Sequence, residues 1–216
     1  MARVHLTFDN GPDPRGTPKV LEVLERHGVK ATFFVLGKHL AKSWGWALAH
    51  EIRDAGHRLG NHSFSHEVPL GDDPGAEAVE RELAQTQALL DEIWQGPRWF
   101  RPFGGGGKIG PHLLSAEAAD WLAASGHTVV LWNSVPGDWL EPHGWVPRAL
   151  EEAASQEHVV VVLHDAVPEA MDHLETFLRG LEAAGHTFVD DFPASCLPLV
   201  EGRAQPSLRE VIRARS

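Results

Sequence analysis

The chain has one cysteine, Cys196, and no tyrosine among its 216 residues. A single thiol excludes an internal disulfide, and such sparing use of cysteine suits a reducing compartment. Basic residues are also short: 19 Lys and Arg stand against 30 Asp and Glu, a formal net charge of -11. Nucleic acid binds to basic faces, so it is not expected as a partner. No apolar run approaches the ~18–20 residues a membrane-spanning helix needs. The opening Met1-Ala2-Arg3-Val4-His5 lacks the apolar core of a secretory signal, which leads to the expectation of a cytoplasmic protein. No Ser/Gly-rich linker or low-complexity tract divides the chain, and residues 70–75 read as a loop. One domain over residues 1–216 is therefore expected, large enough to bury a substantial core. Nothing points to an oligomeric state.

What is present in excess is histidine, with 14 copies, alongside 8 Trp. Histidine carries protons at physiological pH and is a common metal ligand, so its placement matters. Short β-branched runs alternate with longer helical patterns. Strands are expected at 3–8, 31–36, 58–61, 98–102, 128–133, 159–164 and 187–190. Helices are expected at 18–27, 46–55, 76–94, 111–124, 146–155 and 169–184, with a last one over 207–215. Gly28, Gly56, Gly126 and Gly185 stand where four of these helices should stop. Residues 159–163 form a continuous apolar run, which suits a strand covered on both faces. The alternation predicts an α/β fold of about seven parallel strands with helices outside, closing as a barrel.

In such folds ligands sit at the carboxyl ends of the strands. The residues expected there are Asp9-Asn10, Asn61-His62, Arg101-Pro102, Asn133-Ser134 and His164-Asp165. Turn chemistry would supply the Asn and Asp. It would not supply two His and an Arg.

In "NHSFSH", residues 61–66, His62 and His66 stand four apart. On a helical turn that spacing sets both imidazoles on one face, as a metal requires; the alternative is two surface histidines. The zinc-protease pattern also needs Glu after the first His, and Ser63 stands there instead. In "TFDNGP", Asp9 is a candidate base for a metal-associated water, and Asn10 a candidate third ligand through its amide oxygen. In "RPFGGG", Arg101 can pair with Asp9 and keep it ionised, or form an ordinary surface ion pair. The glycines, Gly104 first among them, allow close backbone approach to a ligand. Residues 105–110 formally match a dinucleotide fingerprint, but no acid closes the following strand at 131–133. In "VVVVLHDA", His164 is a candidate acid for a leaving group, its pKa raised by an acidic neighbour such as Asp138; the alternative is a satisfied core histidine. Phe103, Trp139 and Trp145 offer faces for stacking on sugar rings.

Taken together, these stretches resemble the polysaccharide deacetylases, the NodB-homology or carbohydrate esterase family 4 enzymes. Five motifs appear in order between Thr7 and about Asp191: "TFDNGP" is similar to TFDDGP, "HSFSH" to H-S/T-x-x-H, "RPFGG" to R-P-x-G, "GDWLE" to the second half of D-x-x-D-W, and "VLHD" to L-x-H. The resemblance implies a distorted (β/α) barrel. It implies a metal-dependent hydrolase that removes an acetyl group from an N-acetylated, or sometimes O-acetylated, sugar or a related amide. Metal-bound water would attack, with Asp9 as base and His164 as acid. His62 and His66 would hold a divalent metal, commonly zinc, with cobalt or nickel as alternatives. Arg101 would orient Asp9 and Asp138 would tune His164. Trp139 would wall the acid's pocket, and the backbone near Phe103 would bind the oxyanion.

Two positions depart from the family pattern. Asn10 stands where the family has its metal-binding Asp, and Val135 stands at the first Asp of the fourth motif. A neutral amide oxygen weakens metal loading, while a more positive site acidifies bound water. A catalytically silent carbohydrate-binding homologue is the alternative reading.

Overall fold

The computed structural model describes residues 1–214. In chain order the first part holds β1 (Arg3–Asp9), α1 (Gly16–His27), β2 (Thr32–Val35), α2 (Gly37–Leu40), α3 (Ser43–Asp54) and β3 (Arg58–Asn61). Next come α4 (Ala76–Val79), a π turn (Glu80–Ala84), α5 (Gln85–Ile93), β4 (Trp99–Phe100), a 3-10 turn (Pro111–Leu113), α6 (Ala116–Ala124) and β5 (Thr128–Val129). The last part holds α7 (Trp145–Ala154), β6 (His158–Leu163), α8 (Pro168–Met171), α9 (Leu174–Ala183), β7 (Thr187–Phe188), β8 (Leu199–Val200), β9 (Arg203–Ala204) and α10 (Leu208–Val211). No described helix is long and apolar enough to cross a membrane.

The sheet runs β6-β1-β2-β3-β4-β5-β8-β9. β1 through β6 are parallel neighbours along this path. β7 pairs in parallel with the start of β1, at Arg3 and Val4, while β2 pairs with its end, at Thr7 to Asp9. Just past β5, Ser134 bridges Val161 of β6. That contact brings the far side of the sheet round to β6, so the strands bend into a distorted barrel. Asn133 seals the seam: its side chain accepts from Val160 N at 2.7 Å and donates to the His158 carbonyl at 2.8 Å. The expected α/β barrel of parallel strands is present. An antiparallel hairpin, β8–β9, is added at the β5 edge and was not expected.

β6 shows how one apolar run serves two layers. Val159, Val161 and Leu163 pack under the helices with Val4, Leu6, Phe8 and Phe177. Val160 and Val162 join a second core with Phe100, Leu131 and Trp132. Alternation of side chains along the strand divides them in this way. All four glycines expected to end helices have positive φ; at Gly28 (φ 64) the amide caps α1 on Glu25 and Leu24. The expected last helix contracts to α10, and its residue 215 lies outside the described residues.

Candidate active site

The strand ends converge as the topology requires. Along β1, Val4, Leu6 and Phe8 belong to the outer core, which leaves His5, Thr7 and Asp9 on the inward face. Asp9 is 4% exposed, and its Oδ1 accepts from Arg101 Nη1 at 2.9 Å. Arg101 follows β4 and is fully buried. Its guanidinium also donates to Thr7 Oγ1 (2.6 Å) and to the carbonyls of Val130 and Leu131 (3.3 Å each). It lies over the Phe34 ring, 4.2 Å from the centroid. Thr7 Oγ1 donates onward to the Val161 carbonyl at 2.6 Å. Burial opposes ionisation of Asp9, but the Arg101 charge, aided by His62 and His164, outweighs it and holds the carboxyl below the usual range.

His62 and His66 leave β3 in a loop rather than on the expected helical turn. Ser63 (φ 68) and His66 (φ 56) have left-handed backbones, which no continuous helix allows. The loop is pinned from two sides. Gly37 N–H at the start of α2 donates to Ser63 O (3.0 Å), and Lys38 N–H donates to Phe64 O (3.1 Å). Buried Glu82, on the π turn, accepts from Phe64 N–H (3.2 Å), Ser65 N–H (2.8 Å) and Ser65 O–H (2.9 Å). The two imidazole centroids end 4.9 Å apart, and the His66 ring packs on Phe103 at 3.9 Å. His62 Nδ1–H donates to the Arg101 carbonyl (2.8 Å), so Nε2 is unprotonated in the neutral ring, 3.6 Å from Asp9 Oδ2. Burial lowers the pKa of both rings, that of His66 to about 3. Neutral imidazole is the form that binds metal.

Asn10, beyond the end of β1, is also left-handed (φ 71), a conformation Asn tolerates better than most residues. Its Oδ1 is buried and has no hydrogen-bond partner. An orphaned buried acceptor is unfavourable unless something electropositive meets it. Among the described residues no three His, Cys, Asp or Glu side chains form a metal-holding group. The His62 and His66 rings and the Asn10 amide oxygen are a donor set whose chemistry suits a divalent metal.

Opposite Asp9 stands His164, at the end of β6. Its Nδ1–H donates to Asp138 Oδ1 (2.8 Å), while its backbone N–H donates to Oδ2 (2.7 Å). Burial opposes a charged ring, but the fully buried Asp138 carboxylate outweighs it and raises the His164 pKa. Trp139 meets the ring edge-on at 4.9 Å. One pocket of about 170 Å³, partly open to solvent, is lined by Asp9, Asn10, His62, His66, Phe103, Gly104, Trp139 and His164. The sequence-selected residues are thus brought together, with Arg101 and Asp138 behind the wall.

The structure corrects one expectation and adds to others. Trp145 is fully buried, edge-on to Phe177 and bonded to the Ala170 carbonyl, so it presents no face to a sugar. Residues 105–110 do not run from strand into helix: Gly105, Gly106 and Gly107 are consecutive left-handed residues in a loop on the pocket rim. Asn61 and Asn133 are structural, their amides tied to backbone around β3 and β6. Trp132 and Val162, which sequence reasoning did not select, line the pocket. Thr7 was also missed, yet its place two residues before Asp9 sets it on the same face of β1.

A buried Asp–Arg pair and a buried His–Asp pair thus face one pocket at the carboxyl ends of the strands. The family model described as polysaccharide deacetylase matches residues 2–120, and the chain belongs to that family. It is 30% identical over 188 residues to a peptidoglycan-N-acetylglucosamine deacetylase, PgdA, of Listeria monocytogenes, covering 87% of this chain and 37% of that one. The chain thus spans little more than a third of the length of the first curated relatives it matches. It is 34% identical over 169 residues to a chitooligosaccharide deacetylase of Bradyrhizobium, covering 76% and 71%. A solved Bacillus anthracis protein described as a pseudoenzyme of carbohydrate esterase family 4 shares the fold (TM-score 0.73, 23% identity, covering 86% and 62%).

Proposed function

We propose that the chain removes an acetyl group from an N-acetylated amino sugar in an oligo- or polysaccharide. We also propose that it holds a divalent metal, zinc before cobalt or nickel, on His62, His66 and Asn10. One observation carries the reading: a carboxylate paired with Arg101 and an imidazole paired with Asp138 face a single pocket.

The metal, when bound, supplies Lewis acidity toward the amide carbonyl and the attacking water. Asp9 Oδ1 is occupied by Arg101, which leaves Oδ2 to take the proton from that water. Attack turns the carbonyl oxygen into an oxyanion; the backbone at Phe103 and Gly104, on the pocket lining, is the nearby donor surface. His164, held charged by Asp138, gives its Nε2 proton to the amine nitrogen as the C–N bond breaks. Acetate and a free amino sugar leave. An acetyl ester would follow the same course, with an alcohol departing.

The reading is tested by acetate release from N-acetylated chitooligosaccharides and peptidoglycan fragments in the zinc-, cobalt- or nickel-loaded protein, against Asp9→Asn. Equal release by both proteins would overturn it. A silent carbohydrate-binding protein is the second reading, favoured by the neutral Asn10. It requires glycan binding with no release under any metal.

A further inference from the structure

Asp165 immediately follows His164 and is completely buried, yet it takes no part in the chemistry above. Its Oδ2 accepts from Thr17 Oγ1–H at 2.5 Å, and its Oδ1 has no partner. Among the described residues no Arg or Lys forms an ion pair with it. Thr17 Oγ1 also accepts from Asp13 N–H at 2.8 Å, and Asp13 Oδ1 in turn caps the amides of Arg15 and Gly16. A hydrogen-bonded chain therefore joins the acid-bearing end of β6 to the loop that follows Asp9 and Asn10.

Packing on this link is close. A Cβ on Gly11 would fall 2.2–2.3 Å from the two carboxyl oxygens of Asp165. A Cβ on Gly16 would fall 1.8 Å from the Asp165 carbonyl oxygen. The loop from Gly11 to Thr17 is thus moulded around this one residue, its carboxyl at Gly11 and Thr17 and its carbonyl at Gly16. Gly11 also accepts from Leu36 N–H at 2.9 Å, which fixes the same loop to the end of β2.

We propose that Asp165 is a positioning residue: through Thr17 and Gly11 it sets the spacing between the Asp9–Asn10 loop and His164. The inference rests on the deacetylase reading only for its kinetic readout. Burial, with Asp13 and Asp9 adding to it and Thr17 and His164 opposing, raises the carboxyl to about 7. The link is therefore a neutral carboxyl below about pH 7, and an amide of the same shape can replace it.

The test compares Asp165→Asn, Asp165→Ala and Thr17→Val in the full chain. Asp165→Asn should keep kcat for acetate release within about threefold. Asp165→Ala and Thr17→Val should lower kcat at least tenfold with KM little changed, because the groups lose alignment and not substrate. Amide hydrogen exchange over residues 10–17 reads the same link without turnover. It should quicken at least tenfold in Asp165→Ala and Thr17→Val and stay at the wild-type rate in Asp165→Asn. If wild type releases no acetate, the deacetylase reading fails and the exchange pattern alone decides this one. Unchanged exchange in the alanine and valine variants, or an asparagine variant as damaged as the alanine one, would overturn it.

Discussion

Asp9 and His164 each lean on a buried partner of opposite charge, Arg101 at 2.9 Å and Asp138 at 2.8 Å; the His62–His66–Asn10 side has no such completion. There two neutral rings and one orphaned amide oxygen face the pocket. The contrast separates what the protein finishes from what it leaves for a ligand. Asp9 and His164 have their charge set by buried side chains from distant parts of the chain. The trio has an unmet acceptor in Asn10 Oδ1, and with Asn in place of the family's Asp it offers no negative charge of its own. On the proposed reading, the Asn10 departure bears on affinity for a metal and leaves the Asp9–Arg101 and His164–Asp138 pairs intact.

The largest effect should come from the finished side. Asp9→Asn or His164→Ala should lower kcat/KM about 10³-fold, the scale of a lost general base or acid. Zinc binding by His164→Ala should stay unchanged, since that ring is not in the trio. A rate unaffected by either change would erase the distinction. Next comes the unfinished side. Asn10→Asp restores a charged oxygen and should tighten zinc at least about tenfold in a competition against a chromogenic chelator, because ligand charge contributes directly to affinity for a divalent cation. Equal affinity would place Asn10 outside the trio.

A smaller effect tests whether Asp138 completes His164 through charge or through shape. His164 must be protonated to act as acid, so activity falls as pH rises through its pKa. That pKa is raised because Asp138 outweighs burial. Asp138→Asn removes the charge but keeps an oxygen, so burial then dominates and the alkaline limb of the pH–rate profile should move down by about one unit. An unmoved limb would mean that Asp138 only orients the ring.

The sequence foretold these two halves unequally. β1 and β6 were placed well because their apolar runs pair over long registers, Arg3 with His158 through Phe8 with Leu163. β4 and β5 are two-residue strands held by neighbours, and β8–β9 is a two-residue hairpin closed by Glu201-Gly202, too short for periodicity to register. His62 and His66 were selected for a helical face they do not share: left-handed Ser63 and His66 and the remote Glu82 carboxylate bring them together, and none of this is written in their spacing. Trp145 looked like a sugar platform because an indole's burial is decided by distant Phe177 and Ala170, not by its own neighbours in sequence.

Between the two halves runs the Asp165 link, and its protonation leaves a mark on stability that needs no substrate. A carboxyl whose pKa is about 7 when folded, against 3.8 as reference, binds its proton more tightly in the native state. Its contribution to stability is fully present below the unfolded value and is lost as pH rises through the folded one. Asp165→Asn cannot titrate. The other groups near the link, Asp13, Asp9 and His164, are common to both proteins, so the difference between the two melting curves isolates Asp165. Relative to wild type, the variant should gain melting temperature between pH 5 and pH 8, by about 5 °C or more for a chain of this size. Parallel curves across that window would mean that Asp165 is ionised in the folded protein, and that the two halves are joined by a charge instead of a neutral hydrogen bond.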